Sequence, residues 1–331
     1  MFLFYHYRSF ITKFIFMKKL LLLLLTLCLS YNYNYANNNR VIEDELQEVL
    51  NQKSDNMIDI SIILKSQVST KELEAKAAKT SDKSLKREIV VSELKKFAAK
   101  GQADVMAILQ AEEASGNVKD INALWIINAV SCKATRDVIY QLSTHPDIKV
   151  ISYNNEVQVI SEQEMKEIAE TTRGGYPYPH VTAVNADYVW SLGYTGKNVI
   201  VAVLDSGTNI YHHDIKNHLW EGEVDGEIVN GWNFIANNSN IIDDLGHGTH
   251  CAGIVCGDGT SGQTTGIAPD ALLMTVKTIN RAGGGSVDNM ISGVQFAIDN
   301  GADILSISDG FNHNLITVAQ KEALRSTFDN V

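Results

Sequence analysis

The sequence predicts an α/β protein whose parallel sheet carries helices on both faces and is preceded by a small α+β module. In the second half of the chain, apolar runs of strand length alternate with segments of helical periodicity, as in parallel sheets joined by right-handed crossovers. In the first half, patterns of strand, helix, strand, helix and strand follow one another within about 100 residues, which is typical of a small α+β unit. Two structural units are therefore expected.

Composition limits the classes of function that the chain can have. Of its 331 residues, 45% are hydrophobic and 20% are charged, so it has the make-up of a globular protein with room for about two domains. The formal net charge of -11 argues against a nucleic-acid partner, because nucleic-acid binding needs a basic surface. Cys251 and Cys256 would point to different faces of a helix, so we expect no disulfide between them.

The N-terminus has the pattern of an export signal. Met17–Lys19 gives a basic start, and the leucine-rich segment 20–29 that follows is about ten residues long, too short to span a bilayer. We expect residues 1–36 to be a signal peptide, with Met17 as an alternative start, and the protein to be secreted. The apolar character of residues 14–29 leaves an uncleaved membrane anchor as the alternative.

Residues 55–160 are expected to form the N-terminal module. Isoleucines alternate with polar residues over 58–62, which predicts a half-buried strand, and a charged segment over 71–110 has a helical pattern with a break near Gly101. A polar linker is expected at residues 161–176. The remaining elements of the module are predicted as a strand, a helix and a strand at residues 125–130, 134–143 and 148–153.

The C-terminal unit is expected over residues 177–331. A helical pattern at 183–192 leads through a turn to the apolar run 199–204, which suits a strand buried on both faces. Further strands are predicted at residues 272–279 and 304–308, and helices at residues 287–298 and 315–330.

Two polar residues of the C-terminal unit have the pattern of a catalytic site. Asp205 ends the apolar run, and open parallel sheets place their active sites at the carboxyl ends of strands. His247 lies between two glycines, where a loop is expected to enter a helix. A serine hydroxyl becomes a nucleophile when a histidine takes its proton, and a carboxylate fixes the tautomer of that histidine. Asp205 and His247 are therefore candidates for the orienting carboxylate and the general base.

These segments resemble the subtilisin-like serine proteases, the subtilase or peptidase S8 family, whose triad runs Asp, His, Ser along the chain. The resemblance implies a subtilisin-like fold and a serine endopeptidase that acts on polypeptides, with Asp205 and His247 in the triad. It implies no cofactor for catalysis and no metal ligand that can be named, although a structural calcium ion is left open. The resemblance rests on five ordered blocks, at residues 205–208, 243–253, 266–271, 283–286 and 303–310.

The resemblance also implies where a substrate would bind. The backbone of Gly283, Gly284 and Gly285 would pair with an extended peptide, because glycines allow close approach of a second main chain. Ser308, Asp309 and Gly310 would form the opposite wall. The family usually has an apolar residue at the position of Asp309, so the preference of this pocket is expected to differ.

The position of the N-terminal module, directly upstream of the protease-like unit, resembles that of an I9-type inhibitory propeptide with a ferredoxin-like fold. This resemblance implies that the module is an intramolecular inhibitor and a folding aid. Processing is then expected in the linker at 161–176. A zinc site is not expected, because His247 and His250 are three residues apart and lack the spacing of metalloprotease helices.

The family's oxyanion asparagine and nucleophilic serine lie downstream of the Ser308–Gly310 block, and neither motif follows that block before Val331. Gly259-Thr260-Ser261 matches part of the nucleophile motif, but its surroundings have the composition of a loop. We therefore expect a C-terminally truncated chain that is inactive on its own. The alternative is a non-catalytic remnant whose N-terminal module binds or inhibits a protease. A third interpretation is a carbohydrate hydrolase or a metal-dependent hydrolase with an unrelated α/β fold. The sequence shows no carboxylate pair that supports it.

Overall fold

The structure is a computed structural model that describes residues 41–52, 56–160 and 179–331. The expected signal peptide at residues 1–36 and the expected linker at 161–176 lie outside these ranges. Within them, no helix combines the length and the apolar character needed to cross a membrane.

The N-terminal module is a four-stranded antiparallel sheet with helices packed on one face. Its strands lie in the order β2, β3, β1, β4. Helix α1 begins upstream of the expected boundary at residue 55 and packs in the same core through Leu46 and Leu50. In chain order, the elements are α1 (Asp44–Asn51), β1 (Ile58–Leu64), α2 (Thr70–Ala77), α3 (Lys83–Ala114), β2 (Val118–Leu124), a 3-10 turn (Trp125–Ile127), β3 (Ala129–Ala134), α4 (Arg136–Ser143), β4 (Ile148–Tyr153) and β5 (Val157–Gln158).

The expected break near Gly101 is wrong, because α3 continues through it. A Cβ atom at Gly101 would lie 2.8 Å from the side-chain nitrogen of Asn128. The glycine therefore provides room for a neighbouring side chain and does not end the helix.

The strand predicted at 125–130 is also wrong in its bounds. Residues Trp125–Ile127 form a 3-10 turn, and Asn128 has a φ of 45°, so the chain reverses there before β3 begins. Strand β2, which precedes the turn, has no counterpart among the predicted strands, because polar residues interrupt its sequence and most of its residues are exposed. Strand β4 has the predicted bounds, residues 148–153.

The C-terminal unit contains the expected parallel sheet, with the described strands in the order β12, β6, β10, β9. The predicted strands at 199–204, 272–279 and 304–308 correspond to β6, β10 and β12. In chain order, the elements are α5 (Pro179–Ala183), α6 (Ala186–Ser191), β6 (Ile200–Asp205), β7 (Gly222–Val224), β8 (Glu227–Val229), β9 (Gly231–Asn233), α7 (His247–Cys256), β10 (Leu272–Lys277), β11 (Gly284–Gly285), α8 (Val287–Asp299), β12 (Ile304–Ile307) and α9 (Val318–Asp329).

Helices cover both faces of this sheet, because successive strand residues point in opposite directions. On one face, Ala202 and Leu204 of β6 lie in a cluster with the apolar side of α8. On the other face, Val203 packs with Cys251 and Ala252 of α7.

Strand β12 lies at one edge of the described sheet. It pairs with β6 on one side and has no second partner among the residues that the structure describes. The side chain of Ile304, its first residue, is 52% exposed.

The module contacts the C-terminal unit through the sheet face opposite its own helices. The side chain of Asn122 on β2 donates to the Ser292 hydroxyl on α8 at 2.8 Å, and the backbone N–H of Ile126 donates to Gln295 Oε1 at 3.0 Å. The half-buried strand predicted at residues 58–62 is consequently buried on both faces from Ile60 onward.

Candidate active site

Asp205 and His247 are brought together at the carboxyl end of β6. Asp205 is the last residue of that strand, and His247 is the first residue of α7. The Nδ1 atom of His247 lies 2.7 Å and 2.9 Å from the two carboxylate oxygens of Asp205. Asp205 is 1% exposed and His247 is 9% exposed, so water competes little with this contact.

The electrostatics of the pair favour a protonated imidazole. The hydrogen bond with Asp205, and after it the contact with Cys251, raises the pKa of His247 well above its ordinary value, while burial opposes the rise. A carboxylate on Nδ1 leaves Nε2 as the nitrogen that can accept a proton. The pair therefore has the geometry of an orienting carboxylate and a general base.

The glycine after His247 is required by close packing. A Cβ atom at Gly248 would lie 2.1 Å from the Gly207 carbonyl oxygen and 3.1 Å from Oδ1 of Asp205. The glycine before His247, Gly246, has a φ of 101°, which side chains other than hydrogen rarely allow. The Gly-His-Gly sequence thus lets α7 start directly against the end of β6.

A half-buried carboxylate that sequence reasoning missed holds the loop before His247. Asp243 Oδ1 accepts from Ser206 Oγ at 2.9 Å and from Gly246 N at 2.8 Å, and Asp243 Oδ2 accepts from Thr249 N at 2.8 Å. Burial alone would raise the pKa of Asp243, but these hydrogen bonds outweigh it and lower the pKa. Asp243 therefore fixes the position of His247 through the loop backbone.

Lys277, the last residue of β10, is a second support that the sequence did not reveal. Its side chain is 4% exposed and donates to the Ser206 carbonyl oxygen and, at 2.7 Å, to Asp244 Oδ1. The local sequence does not distinguish a buried lysine at the end of an apolar strand from an exposed lysine at the same position.

Cys251 lies one turn after His247 on α7. Its Sγ atom is 3.8 Å from His247 Nδ1, on the side where Asp205 also binds. Ligand atoms of these three residues all lie within 4.8 Å of one another. His250 is the second histidine of the His-x-x-His sequence. It belongs to neither group of potential metal ligands found in the described part of the chain.

Asp309 has a buried carboxyl group near the pair. Neither of its oxygens has a hydrogen-bond partner in another described residue. Burial, and after it the charge of Asp205, raises the pKa of Asp309 to about 7, while His247 opposes this shift. Ser308 and Gly310 on either side are exposed. The block at 308–310 therefore presents a titratable group close to the Asp205–His247 pair. From the sequence, Asp309 is only a charged residue at a position that is usually apolar in the family.

Gly284 and Gly285 form the short strand β11, which pairs with β5 of the N-terminal module in antiparallel register. Gly284 lies opposite Gln158 and Gly285 opposite Val157. The backbone N–H groups of Val159 and Ile160 both donate to the Gly283 carbonyl oxygen, at 3.0 Å and 3.1 Å. An extended segment of the same chain therefore lies along this edge.

Within the described residues, no serine hydroxyl is hydrogen-bonded to His247, whose partners are Asp205 and Cys251. Ser261 of the Gly-Thr-Ser sequence lies in a loop beyond the end of α7, where its backbone N–H donates to Asp214. It is not brought to the Asp205–His247 pair.

A buried Asp–His pair at the carboxyl end of a parallel strand is an arrangement that also occurs in hydrolases that activate a nucleophile with histidine. Comparison with known proteins narrows this class. Residues 196–327 match the model of the subtilase family, Peptidase_S8. Subtilisin DY of Bacillus licheniformis is 35% identical over 143 residues, which are 43% of this chain and 46% of that protein.

Two proteins of Bacillus subtilis give longer but more distant matches. The major intracellular serine protease is 30% identical over 189 residues, 56% of this chain and 52% of that protein. Bacillopeptidase F is 28% identical over 220 residues, 63% of this chain and 15% of that protein. The chain thus spans about half or less of the length of these curated relatives. Together these matches show that the C-terminal unit is similar to subtilases.

Proposed function

We propose that this chain carries the orienting carboxylate and the general base of a serine endopeptidase. The contact of His247 Nδ1 with both oxygens of Asp205 is the observation that supports this proposal. Asp205 would hold the proton on Nδ1 and stabilise the imidazolium, and His247 Nε2 would take the proton of a serine and return it to the leaving amine. No serine or oxyanion donor of this chain is assigned to these steps.

The chain alone is proposed to be inactive. The base and its orienting group do not attack a peptide carbonyl by themselves, and transition-state stabilisation needs an oxyanion donor as well. The full chain should leave casein intact. Hydrolysis that disappears in His247→Ala would mean that a serine of this chain reaches His247 in solution.

The N-terminal module is proposed to be an intramolecular inhibitor and folding aid. Residues 157–160 would occupy the place of a polypeptide substrate along Gly283–Gly285, because backbone pairing to an exposed edge is a common mode of peptide binding. Ser308, Asp309 and Gly310 are proposed as the opposite wall. The processing site is proposed to lie within residues 161–176.

Secretion is also proposed, with a signal peptide at residues 1–36. Two of the similar proteins are named minor extracellular proteases, Epr and Vpr of Bacillus subtilis. Detection of the mature protein outside the cell, with an N-terminus beyond residue 36, would support this assignment.

A chimera tests the catalytic roles directly. The present chain would be joined after Val331 to the C-terminal part of subtilisin DY and assayed on casein. We expect hydrolysis that is lost in His247→Ala and strongly reduced in Asp205→Asn, with Asp214→Asn as a matched carboxylate control that retains activity. If a folded chimera hydrolyses casein equally well with His247→Ala, the proposed base is wrong.

A second candidate function is inhibition without catalysis, which the pairing of β5 with β11 also favours. In that case the module would bind the groove of another protease. Deleting Tyr153–Ile160 should abolish inhibition in either case. Activity of the chimera separates the two candidates, because a non-catalytic remnant would not support hydrolysis.

A further inference from the structure

The two faces of strand β1 have different surroundings. Ile60 and Ile62 point into the core of the N-terminal module, whereas Asp59, Ser61 and Ile63 alternate with them and point toward the C-terminal unit. Ser61 is only 2% exposed, and Ser152, its partner on β4, is fully buried. A polar strip of the module is therefore covered by the interface between the two units.

Asp288, in the first turn of α8, faces this strip. It is 3% exposed, and the hydroxyl of Ser61 hydrogen-bonds to its carboxyl group. The Oδ2 atom of Asp288 is buried and has no hydrogen-bond partner among the described residues. A buried carboxylate with an unsatisfied oxygen and no cation costs free energy, whereas the protonated acid costs much less.

The charged groups of the module make ionisation of Asp288 still less favourable. The negative charge that acts on Asp288 is that of Asp59, which accepts a hydrogen bond from Asn154 Nδ2 at 3.1 Å. Around Asp59 are Asp120 on β2, Lys133 on β3 and Glu156 after β4. The ammonium group of Lys133 is held 2.7 Å from Asp120, so it forms no ion pair with Asp288.

The pKa values agree with this arrangement. Burial, and after it the charge of Asp59, raises the pKa of Asp288 to about 7, although the Ser61 hydrogen bond opposes the rise. Burial also raises the pKa of Asp59, with Asp120 and Glu156 adding to the rise and Asn154 and Lys133 opposing it.

We propose that the N-terminal module docks on α8 with uptake of a proton at Asp288, so that acidic pH holds the module and neutral pH loosens it. If the proposed function holds, this contact makes inhibition by the module pH-dependent. The docking itself depends only on the interface, and it can be measured without proteolytic activity.

The sign of the effect follows from the two states of the carboxyl group. When the module is released, Asp288 should titrate near its ordinary pKa of 3.8, and when docked near 7. Below the lower value the group is protonated in both states and docking is fully supported. Between the two values docking takes up one proton, so the docking equilibrium falls by up to about tenfold per pH unit. Above the upper value the group is ionised in both states and the dependence ends.

Hydrogen exchange of the full chain tests the proposal. The backbone N–H groups of Ile126, Val159 and Ile160 donate across the interface, so their protection reports docking. After correction for intrinsic exchange rates, the opening equilibrium of these amides should rise at least tenfold between pH 5 and pH 7. In Asp288→Asn, which keeps the shape but cannot ionise, we expect less than a threefold rise.

Asp299→Asn is the matched control on the same helix. Asp299 forms an exposed ion pair across the interface with Lys95 at 2.8 Å, so its loss should change protection similarly at each pH and leave the slope intact. If Asp288→Asn does not fold, Asp59→Asn replaces it and should lower the slope, because it removes the negative charge that raises the pKa of Asp288. An unchanged slope in the folded variant, or an equal loss of slope in Asp299→Asn, would overturn the proposal.

Discussion

Cys251 Sγ lies 3.8 Å from His247 Nδ1, the nitrogen that also contacts both carboxylate oxygens of Asp205. The sulfur is placed there by α7, since the two residues are one helical turn apart and share a face. The thiol is thus beside the atom on which the orientation of the base depends.

A mercurial bound to Cys251 should disturb the Asp205–His247 pair. Cys28, which lies outside the described residues, is first replaced by serine so that it cannot bind mercury. In this Cys28→Ser background, we expect mercuric ion to abolish the downfield proton resonance of His247 Nδ1–H. Cys251→Ala should escape this effect. Cys256→Ala is the control that should stay sensitive, because burial raises the pKa of Cys256 to about 12 and keeps that thiol unreactive. Equal loss of the resonance in Cys251→Ala would show that mercury acts elsewhere.

Gly248→Ala should destabilise the fold, whereas Gly253→Ala on the same helix should not. The first substitution places a methyl group against the Gly207 carbonyl oxygen and should cost about 1–3 kcal/mol or more. The second meets no atom within 4 Å and should stabilise α7 by up to about 1 kcal/mol. Urea unfolding of the two variants measures both effects. Similar stabilities would mean that α7 does not start directly against β6.

Asp243→Ala should loosen the loop that carries His247. It removes the acceptor of several partly buried hydrogen bonds and should lower the free energy of unfolding by about 2–4 kcal/mol at neutral pH. Because the pKa of Asp243 is lowered in the fold, its contribution is present at neutral pH and declines as the pH falls through that lowered value. The difference between wild type and variant should therefore shrink in acid. A difference that is constant from pH 7 to pH 3 would contradict this account.

Asp309→Asn should stabilise the protein at pH 8 more than at pH 5. The raised pKa of Asp309 means that its stabilising proton is lost as the pH rises from about 4 to about 7, after which a buried charge remains. Removing that charge should gain about 1–3 kcal/mol at pH 8. Asp303→Asn is the control, because Asp303 accepts from Ile200 N at 2.9 Å and should lose stability when neutralised. A gain for Asp309→Asn that is the same at both pH values would refute the prediction.

The sequence pattern was sufficient to predict elements that pack in a regular, apolar environment. Strands β6, β10 and β12 could be predicted because each is mostly apolar, and the contact between Asp205 and His247 because their local motifs are specific. The sequence was insufficient where a distant residue decides the outcome. A glycine within a helical pattern suggests a break. At Gly101, however, the close approach of the Asn128 side chain, which lies far away in sequence, leaves room only for glycine.

The same limit applies to charge. Lys277 and Asp288 are ordinary polar residues in the sequence, and only the packing of other elements around them makes them buried. A period-two pattern in β1 predicted one solvated face, because nothing local indicates that a second unit covers it. Burial of polar groups is a property of the tertiary structure and leaves little local trace.

One side of β12 has no partner strand among the described residues, and this limits the conditions under which the protein can be handled. Its backbone groups face outward beside the exposed Ile304 side chain, and such an edge can accept a strand from another molecule. Self-association through it would scale with protein concentration and would bury the same edge in every copy. Dilute solutions, or the substitution Ile304→Lys, should therefore keep the chain monodisperse. At the high protein concentrations used for crystallisation, we expect fibrous or amorphous aggregates.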